Sequence, residues 1–241
     1  MPLTDVELWI FNSINGCCGK SYLFDQIVFF FSVSHFVKTI PFVVCIWILW
    51  LRPQTTRQHR ETLIAMIVAV VVALAITRGL STFLPFRLRP YLTPDIGFQP
   101  PLIGYDFKDN LTDWSSFPSD HATYFFAMTV GFIFISRWLG VLFGLLSVWI
   151  VWQRIYLGLH FPGDVMAGAL VGIIVAAYFC RPAVSRYVAA PAFGVQRYAP
   201  VAFNGLFFVT LFEMGNMFNE VRQVVKGSLI VLKHYGTFLV S

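Results

Sequence analysis

Long apolar segments alternate with short polar ones along most of this chain. Crossing the hydrocarbon core of a bilayer takes about 20 mostly apolar residues, and several segments approach or exceed that length. The pattern predicts about six membrane-spanning helices. The first is long enough to tilt, or to break near Ser34, His35, Lys38 and Pro41, and the last is the weakest. The predicted spans are residues 26–51, 62–86, 118–135, 139–157, 162–180 and 199–214.

The N-terminal segment has a different pattern from these spans. Its apolar residues Leu8, Ile10, Phe11 and Ile14 recur at helical spacing, which predicts a short amphipathic helix lying in the membrane interface. No internal repeat or flexible linker divides the remainder of the chain. We therefore expect an all-α, polytopic transmembrane bundle that forms a single domain over residues 1–241.

Composition supports a membrane protein and excludes several other classes. The chain is 57% hydrophobic and only 12% charged, and its mean hydropathy is +0.71. An average soluble domain is about 45–50% apolar and about 25% charged, so a soluble globular enzyme and a disordered chain are excluded. The net charge of +5 comes from scattered lysines and arginines, and a nucleic-acid partner is therefore not expected.

The loop charges predict an orientation in the membrane. Three basic regions without an acidic residue fall on one face of the predicted bundle. They are loop 52–60, the turn that holds Arg137, and segment 181–197. The positive-inside rule makes that face cytoplasmic. Loops 87–117 and 158–161 fall on the opposite face, which we expect to be periplasmic in the inner membrane of a bacterium.

Three polar clusters lie on this outer face, where polar residues at membrane boundaries often indicate function. Pro162 suits the first turn of a helix, which would let Asp164 reach back to His160, four residues earlier. A carboxylate that holds one ring nitrogen leaves the other nitrogen as a nucleophile. The clusters are Arg87-Leu88-Arg89-Pro90, Pro118-Ser119-Asp120-His121 and Arg154-x5-His160-x3-Asp164.

The second cluster predicts a site for an anion. If Pro118 opens a helix, the N–H groups of Ser119, Asp120 and His121 have no helical acceptor and can bind a phosphate group. Guanidinium groups add forked donors that suit phosphate oxygens. The arginines in the clusters are Arg87, Arg89 and Arg154.

In these motifs the chain resembles the type-2 phosphatidic acid phosphatases, whose signature is Lys-x6-Arg-Pro, Pro-Ser-Gly-His and Ser-Arg-x5-His-x3-Asp. The resemblance covers roughly residues 62–180, the expected catalytic core, and leaves the role of the 181–241 extension open. Thr82, Asp120 and Gln153 depart from the signature. The Asp120 variant looks like the bacterial polyprenyl-diphosphate phosphatase branch.

This resemblance implies a mechanism and a set of site residues. His160 would attack phosphorus and form a phosphohistidine, Asp164 would orient it, and His121 would act as general acid and then general base. The resemblance implies no metal and no cofactor. Arg78, one turn deeper than Thr82, or Arg87 would replace the missing lysine. The phosphate-binding residues are expected to be Arg89, Arg154, Ser119, Arg87, Asp120 and Arg78.

The position of these groups predicts a phosphorylated membrane lipid as substrate, and the resemblance favours undecaprenyl diphosphate. Phosphatidylglycerophosphate, phosphatidic acid, diacylglycerol diphosphate and lipid A phosphate stay open, as does phosphoryl transfer to another lipid. Three rival interpretations are a vanadate-binding haloperoxidase, a transporter of an anionic solute and a degenerate scaffold. The composition argues against the first, the absence of repeated halves against the second, and the intact His121, His160 and Asp164 against the third.

Overall fold

The computed structural model describes residues 3–103 and 114–220, which form nine α-helices and contain no β-strand. A short 3-10 helix, Pro90–Leu92, lies between the fourth and fifth α-helices. The all-α prediction is confirmed. The α-helices are α1 Asp5–Asn15, α2 Tyr22–Val33, α3 His35–Leu51, α4 Arg57–Phe83, α5 Asp120–Ile135, α6 Arg137–Tyr156, α7 Pro162–Phe179, α8 Pro182–Tyr198 and α9 Pro200–Gly215.

Fewer helices reach membrane-spanning length than the sequence pattern predicts. Among the described residues, α4, α6 and α7 are long and apolar enough to cross a bilayer, and α2 with α3 adds a fourth candidate bent by 52°. Of the two expected alternatives, a tilt or a break near residues 34–41, the structure shows a break, and it lies at Ser34. Helices α5 and α9 are apolar but have only 16 residues, about 24 Å against a hydrocarbon core of about 30 Å.

Helix α5 lies at the centre of the bundle and packs against α4, α6 and α7. Two glycines of α7, Gly168 and Gly172, allow it to approach α5 closely, since a side chain at either position would strike the α5 backbone or the residue that caps it. The Thr123 hydroxyl donates to the Gly168 carbonyl over 3.0 Å in this contact. Small residues four positions apart permit such close helix packing in membranes.

The segment 181–197, expected to be a cytoplasmic loop, is instead the helix α8. It packs on α4 and α9 and buries Ser185 and Ala189. The segment is too weakly apolar for its sequence to predict a buried helix. Helix α9 in turn packs against α3, with Trp50 on the rings of Phe203 and Phe207. The described part of the C-terminal extension is thus packed onto the bundle.

The alternating direction of the helices places all three polar clusters at one end of the bundle. Helices α4 and α6 run toward this end, and α5 and α7 start from it. Arg57, Arg137 and Arg181 lie at the opposite end. Large apolar side chains cover the outer surfaces of α6 and α7, as expected for helices that face lipid.

Candidate active site

Three chain segments meet at the polar end of the bundle. The segment after α4 carries Arg89, whose Nη1 donates to the Leu159 carbonyl over 2.9 Å, and Tyr91 donates its N–H to the Gly158 carbonyl over 3.1 Å. Gly158 has a φ of +68°, and a side chain there would also strike the ring of Phe98. Glycine is therefore the residue that fits this turn, which holds the His160 segment against the Arg89 segment.

His160 has one ring nitrogen fixed and presents the other to Arg89. Its Nδ1 lies 2.9 Å from the Ser116 carbonyl oxygen, and because a carbonyl only accepts, Nδ1 carries the proton. Nε2 keeps its lone pair and lies 3.4 Å from Arg89 Nη1. Burial lowers the pKa of His160 from 6.5 to about 4, and the Asp164 carboxylate offsets this only in part. The ring is therefore neutral at neutral pH, as a nucleophile requires.

Asp164 is fully buried and surrounded by donors at the start of α7. Pro162 occupies the first turn, as predicted, and the Asp164 carboxylate accepts from the Phe161 N–H over 2.8 Å and from the Ser116 hydroxyl. Its other oxygen accepts from Arg87 Nη1 over 2.6 Å. Asp164 Oδ2 lies 3.7 Å from His160 Nδ1, close enough to stabilise a positive charge on the ring.

His121, in the first turn of α5, contacts two cationic side chains. Arg154 Nη2 lies 3.1 Å from the ring Nδ1 and also contacts Nε2. Lys38 Nζ, from α3, lies 3.3 Å from Nε2. Arg154 is held in turn by the Ser32 hydroxyl, to which its Nη1 donates over 2.7 Å.

Several buried donors around the two histidines have no hydrogen-bond partner among the described residues. They belong to all three polar clusters and include Arg89 Nε, Arg154 Nε and Ser119 Oγ. Buried polar atoms are normally hydrogen-bonded, and unpaired ones often indicate a ligand. A positively charged cluster of unpaired donors beside a neutral imidazole suits a phosphate group.

A family model described as the PAP2 superfamily matches residues 62–186, just over half of the chain. The chain belongs to the PAP2 superfamily. The three polar clusters all fall within the matched residues, and the expectation of a phosphatase, a hydrolase of phosphate bonds, is confirmed.

The proteins that resemble this PAP2 chain include the following two relatives and a solved structure. YbjG of Escherichia coli is 30% identical over 71% of this chain and 80% of its own length. Undecaprenyl-diphosphatase BcrC of Bacillus subtilis is 29% identical over 71% of this chain and 81% of its own. The crystal structure of Aquifex aeolicus LpxE matches 74% of this chain and 98% of that one, with a TM-score of 0.51 and 25% identity. The PAP2 protein described here is a membrane lipid phosphatase.

Three of the expected phosphate-binding residues are engaged elsewhere. Arg87 donates to Asp164 and, through Nη2, to Glu7 over 2.7 Å, so two carboxylates neutralise its guanidinium. Arg78 forms an ion pair with Asp120, and its Cζ lies 4.4 Å from the centre of the Trp114 ring, over which it stacks. This geometry does not support phosphate binding by the side chain of Arg87, Arg78 or Asp120. Nor does it support Arg78 or Arg87 as a replacement for the missing lysine.

The start of α5 differs in one respect from the expected anion site. Pro118 precedes the helix, which is capped by Ser119 and begins at Asp120. The Ser119 N–H donates to the Asp164 carbonyl over 3.0 Å, because α5 and α7 pack so closely. The backbone donors that open the helix are therefore those of Asp120 and His121.

Sequence reasoning missed four residues of the site: Glu7, Ser32, Lys38 and Ser116. Lys38 carried a detectable signal, since a charged residue within an apolar span is a functional candidate by default. Glu7 and Ser116 lie far along the chain from Arg87 and His160, and nothing local predicts those pairs. Among the described residues no cluster of three or more histidine, cysteine or carboxylate side chains could hold a metal ion.

Proposed function

We propose that this PAP2 phosphatase hydrolyses a polyprenyl diphosphate, with undecaprenyl diphosphate the favoured substrate, to the lipid monophosphate and phosphate. The reaction proceeds through a phosphohistidine on His160. The observation that carries the proposal is the geometry of His160, whose Nδ1 is held by the Ser116 carbonyl while its Nε2 faces Arg89. The name of the relative BcrC, an undecaprenyl-diphosphatase, supports the substrate class.

In the first step, His160 Nε2 attacks the terminal phosphorus. The N–P bond forms while the bond to the bridging oxygen breaks, and the lipid monophosphate leaves with a proton from His121. Arg89, Arg154 and the Ser119 hydroxyl would hold the non-bridging oxygens, where the charge of the transition state is spread. The support is that each has a buried polar atom without a hydrogen-bond partner among the described residues. The Asp164 carboxylate stabilises the positive charge that the His160 ring gains.

The protonated state of His121 depends on the substrate. Arg154 and Lys38 both face its ring, and nearby cations disfavour a further positive charge. A bound diphosphate offsets these charges and allows His121 to carry the proton that it donates to the leaving oxygen.

In the second step, a water molecule attacks the phosphorus from the side that the leaving group has vacated. His121, now neutral, takes the proton of the water, the N–P bond breaks and phosphate departs. His160 returns to its neutral state, with the proton still on Nδ1.

The proposal places this reaction at the periplasmic face of a bacterial inner membrane. Its support is the charge asymmetry of the bundle, since the arginine-rich segments occupy the end opposite His121 and His160. A headgroup at that boundary brings its phosphates level with His160 while the prenyl chain stays in the bilayer.

The test is phosphate release by the purified protein in detergent from a panel of lipids. The panel comprises undecaprenyl diphosphate, undecaprenyl phosphate, phosphatidic acid, phosphatidylglycerophosphate and lipid A. We expect the diphosphate to be the best substrate, EDTA to have no effect, and His160→Ala to reduce release by at least about 10³-fold. His59→Ala, at the other end of the bundle, is the matched control. Strict Mg²⁺ dependence or a preference for a monophosphate lipid would refute the proposal.

A further inference from the structure

Lys38 is a buried cation within an apolar helix and lies at the site without belonging to any of the three polar clusters. Its side chain is 3% exposed. Its Nζ donates to the Ser32 carbonyl over 2.6 Å, at the break between α2 and α3, and lies 3.3 Å from His121 Nε2. An ammonium group has three donors, so one of them is available to a ligand.

The cations at this end of the bundle fall into two groups. Arg78 and Arg87 each form an ion pair with a carboxylate. Within the part of the chain that the structure describes, three other cations at the site have no carboxylate within ion-pair distance: Lys38, Arg89 and Arg154.

Burying a charge without a counter-charge is costly, so three such cations together indicate a ligand with several negative charges. A phosphate monoester carries a charge of about −1.5 to −2 at neutral pH. A diphosphate ester carries a further ionised phosphate, and its charge matches three cations better.

The cations are also ordered along the site. Arg89 contacts the nucleophile His160, Lys38 contacts the general acid His121, and Arg154 interacts with both histidines. The phosphorus under attack lies beside His160, and the leaving oxygen lies beside His121. Lys38 is therefore on the leaving-group side of the reacting phosphoryl group.

The leaving group differs between the two kinds of substrate. A lipid monophosphate releases an alcohol, which offers no anionic oxygen to an ammonium group. A lipid diphosphate releases a second phosphate, whose oxygens suit one well.

We propose that Lys38, held by the Ser32 carbonyl, binds the second phosphate of a lipid diphosphate and so makes the enzyme select diphosphates over monophosphates. This inference rests on the proposed hydrolysis and assigns Lys38 as the residue that determines its specificity.

The experiment compares two variants, Lys38→Met and Lys38→Arg, on farnesyl diphosphate and farnesyl monophosphate. We expect Lys38→Met to lower kcat/KM for the diphosphate by about 10- to 100-fold, as for loss of a hydrogen bond to a charged group. We expect kcat/KM for the monophosphate, which loses only the contact of Lys38 with His121, to fall at least about tenfold less than kcat/KM for the diphosphate, and Lys38→Arg to restore most of the selectivity. Lys20→Met, which removes an exposed lysine, is the matched control and should change neither value.

Inhibition supplies a second measurement that needs no turnover. The Ki of farnesyl methylenediphosphonate should rise about 10- to 100-fold in Lys38→Met, while the Ki of farnesyl phosphonate stays unchanged. A purely structural role would move both Ki values together. Equal losses for the two substrates, or an unchanged Ki for the diphosphonate, would overturn the subsite. If the wild-type protein binds the diphosphonate in this Lys38-dependent way but hydrolyses neither substrate, the proposed function fails and the subsite stands.

Discussion

His160 keeps its nucleophilic nitrogen unprotonated because it is buried, with a pKa of about 4 instead of 6.5. A lowered pKa favours the neutral ring, so the nucleophile is lost only as the pH falls through about 4. We expect the acid limb of kcat/KM, which reports the free enzyme, to include a midpoint near pH 4. The substrate phosphate also titrates, at about pH 6. Two diphosphates whose phosphate groups differ in pKa should therefore be compared, so that the titration of the substrate is separated from that of the enzyme. An acid limb of kcat/KM whose enzyme midpoint lies at 6.5, the ordinary pKa of histidine, with both substrates would contradict this account.

We expect Arg87 to act on catalysis through Asp164, since its two terminal nitrogens bind the carboxylates of Glu7 and Asp164. Arg87→Met leaves the buried Asp164 without its counter-ion, and breaking such a pair costs about 3–5 kcal/mol. We expect a lower thermal midpoint in detergent and a lower kcat, with KM little changed. Arg89→Met should instead raise KM, because we propose that Arg89 binds the phosphoryl group. A raised KM with normal kcat in Arg87→Met would show that Arg87 binds substrate after all.

The contact between α5 and α7 sets the distance between the second and third polar clusters. A side chain at Gly172 would meet the Thr123 carbonyl and the Ala127 N–H, which are backbone groups and cannot move aside. We expect Gly172→Ala to separate the two helices, lower kcat at least about tenfold and lower the thermal midpoint. Gly205→Ala is the matched control, because nothing lies within 4 Å of its added methyl group. Equal kcat values and equal thermal midpoints for the two variants would contradict this role for the helix contact.

The helices themselves are largely predictable, because apolar runs and helix-start residues are local signals. Pro162 starts α7 as expected, and the α2–α3 break falls at Ser34, within the region 34–41 where the sequence predicts a tilt or a break. Helix α8 is not predictable in this way, since its residues are only weakly apolar and its stability comes from packing on α4 and α9. Helix propensity alone does not reveal such tertiary support.

At the scale of the whole molecule, the sequence identifies the histidines and arginines that meet at the site but not their partners. Which cation is neutralised depends on carboxylates far along the chain, as with Arg87 and Glu7, which are 80 residues apart. The site also includes Lys38 because the bent α2–α3 pair brings it against α5. Those relations arise only when the bundle assembles, so no local pattern could show that Arg87 has carboxylate partners and Lys38 does not.

The central claim is that a phosphoryl group is transferred to His160 Nε2. The most direct measurement mixes the protein with a diphosphate labelled with ³²P on its terminal phosphate, stops the reaction in alkali and maps the labelled peptide. We predict alkali-stable, acid-labile label on His160. In His121→Ala the label should both form and decay more slowly, because the first step then lacks its acid and the second its base. Label on another residue, or undiminished turnover by His160→Ala, would contradict the account.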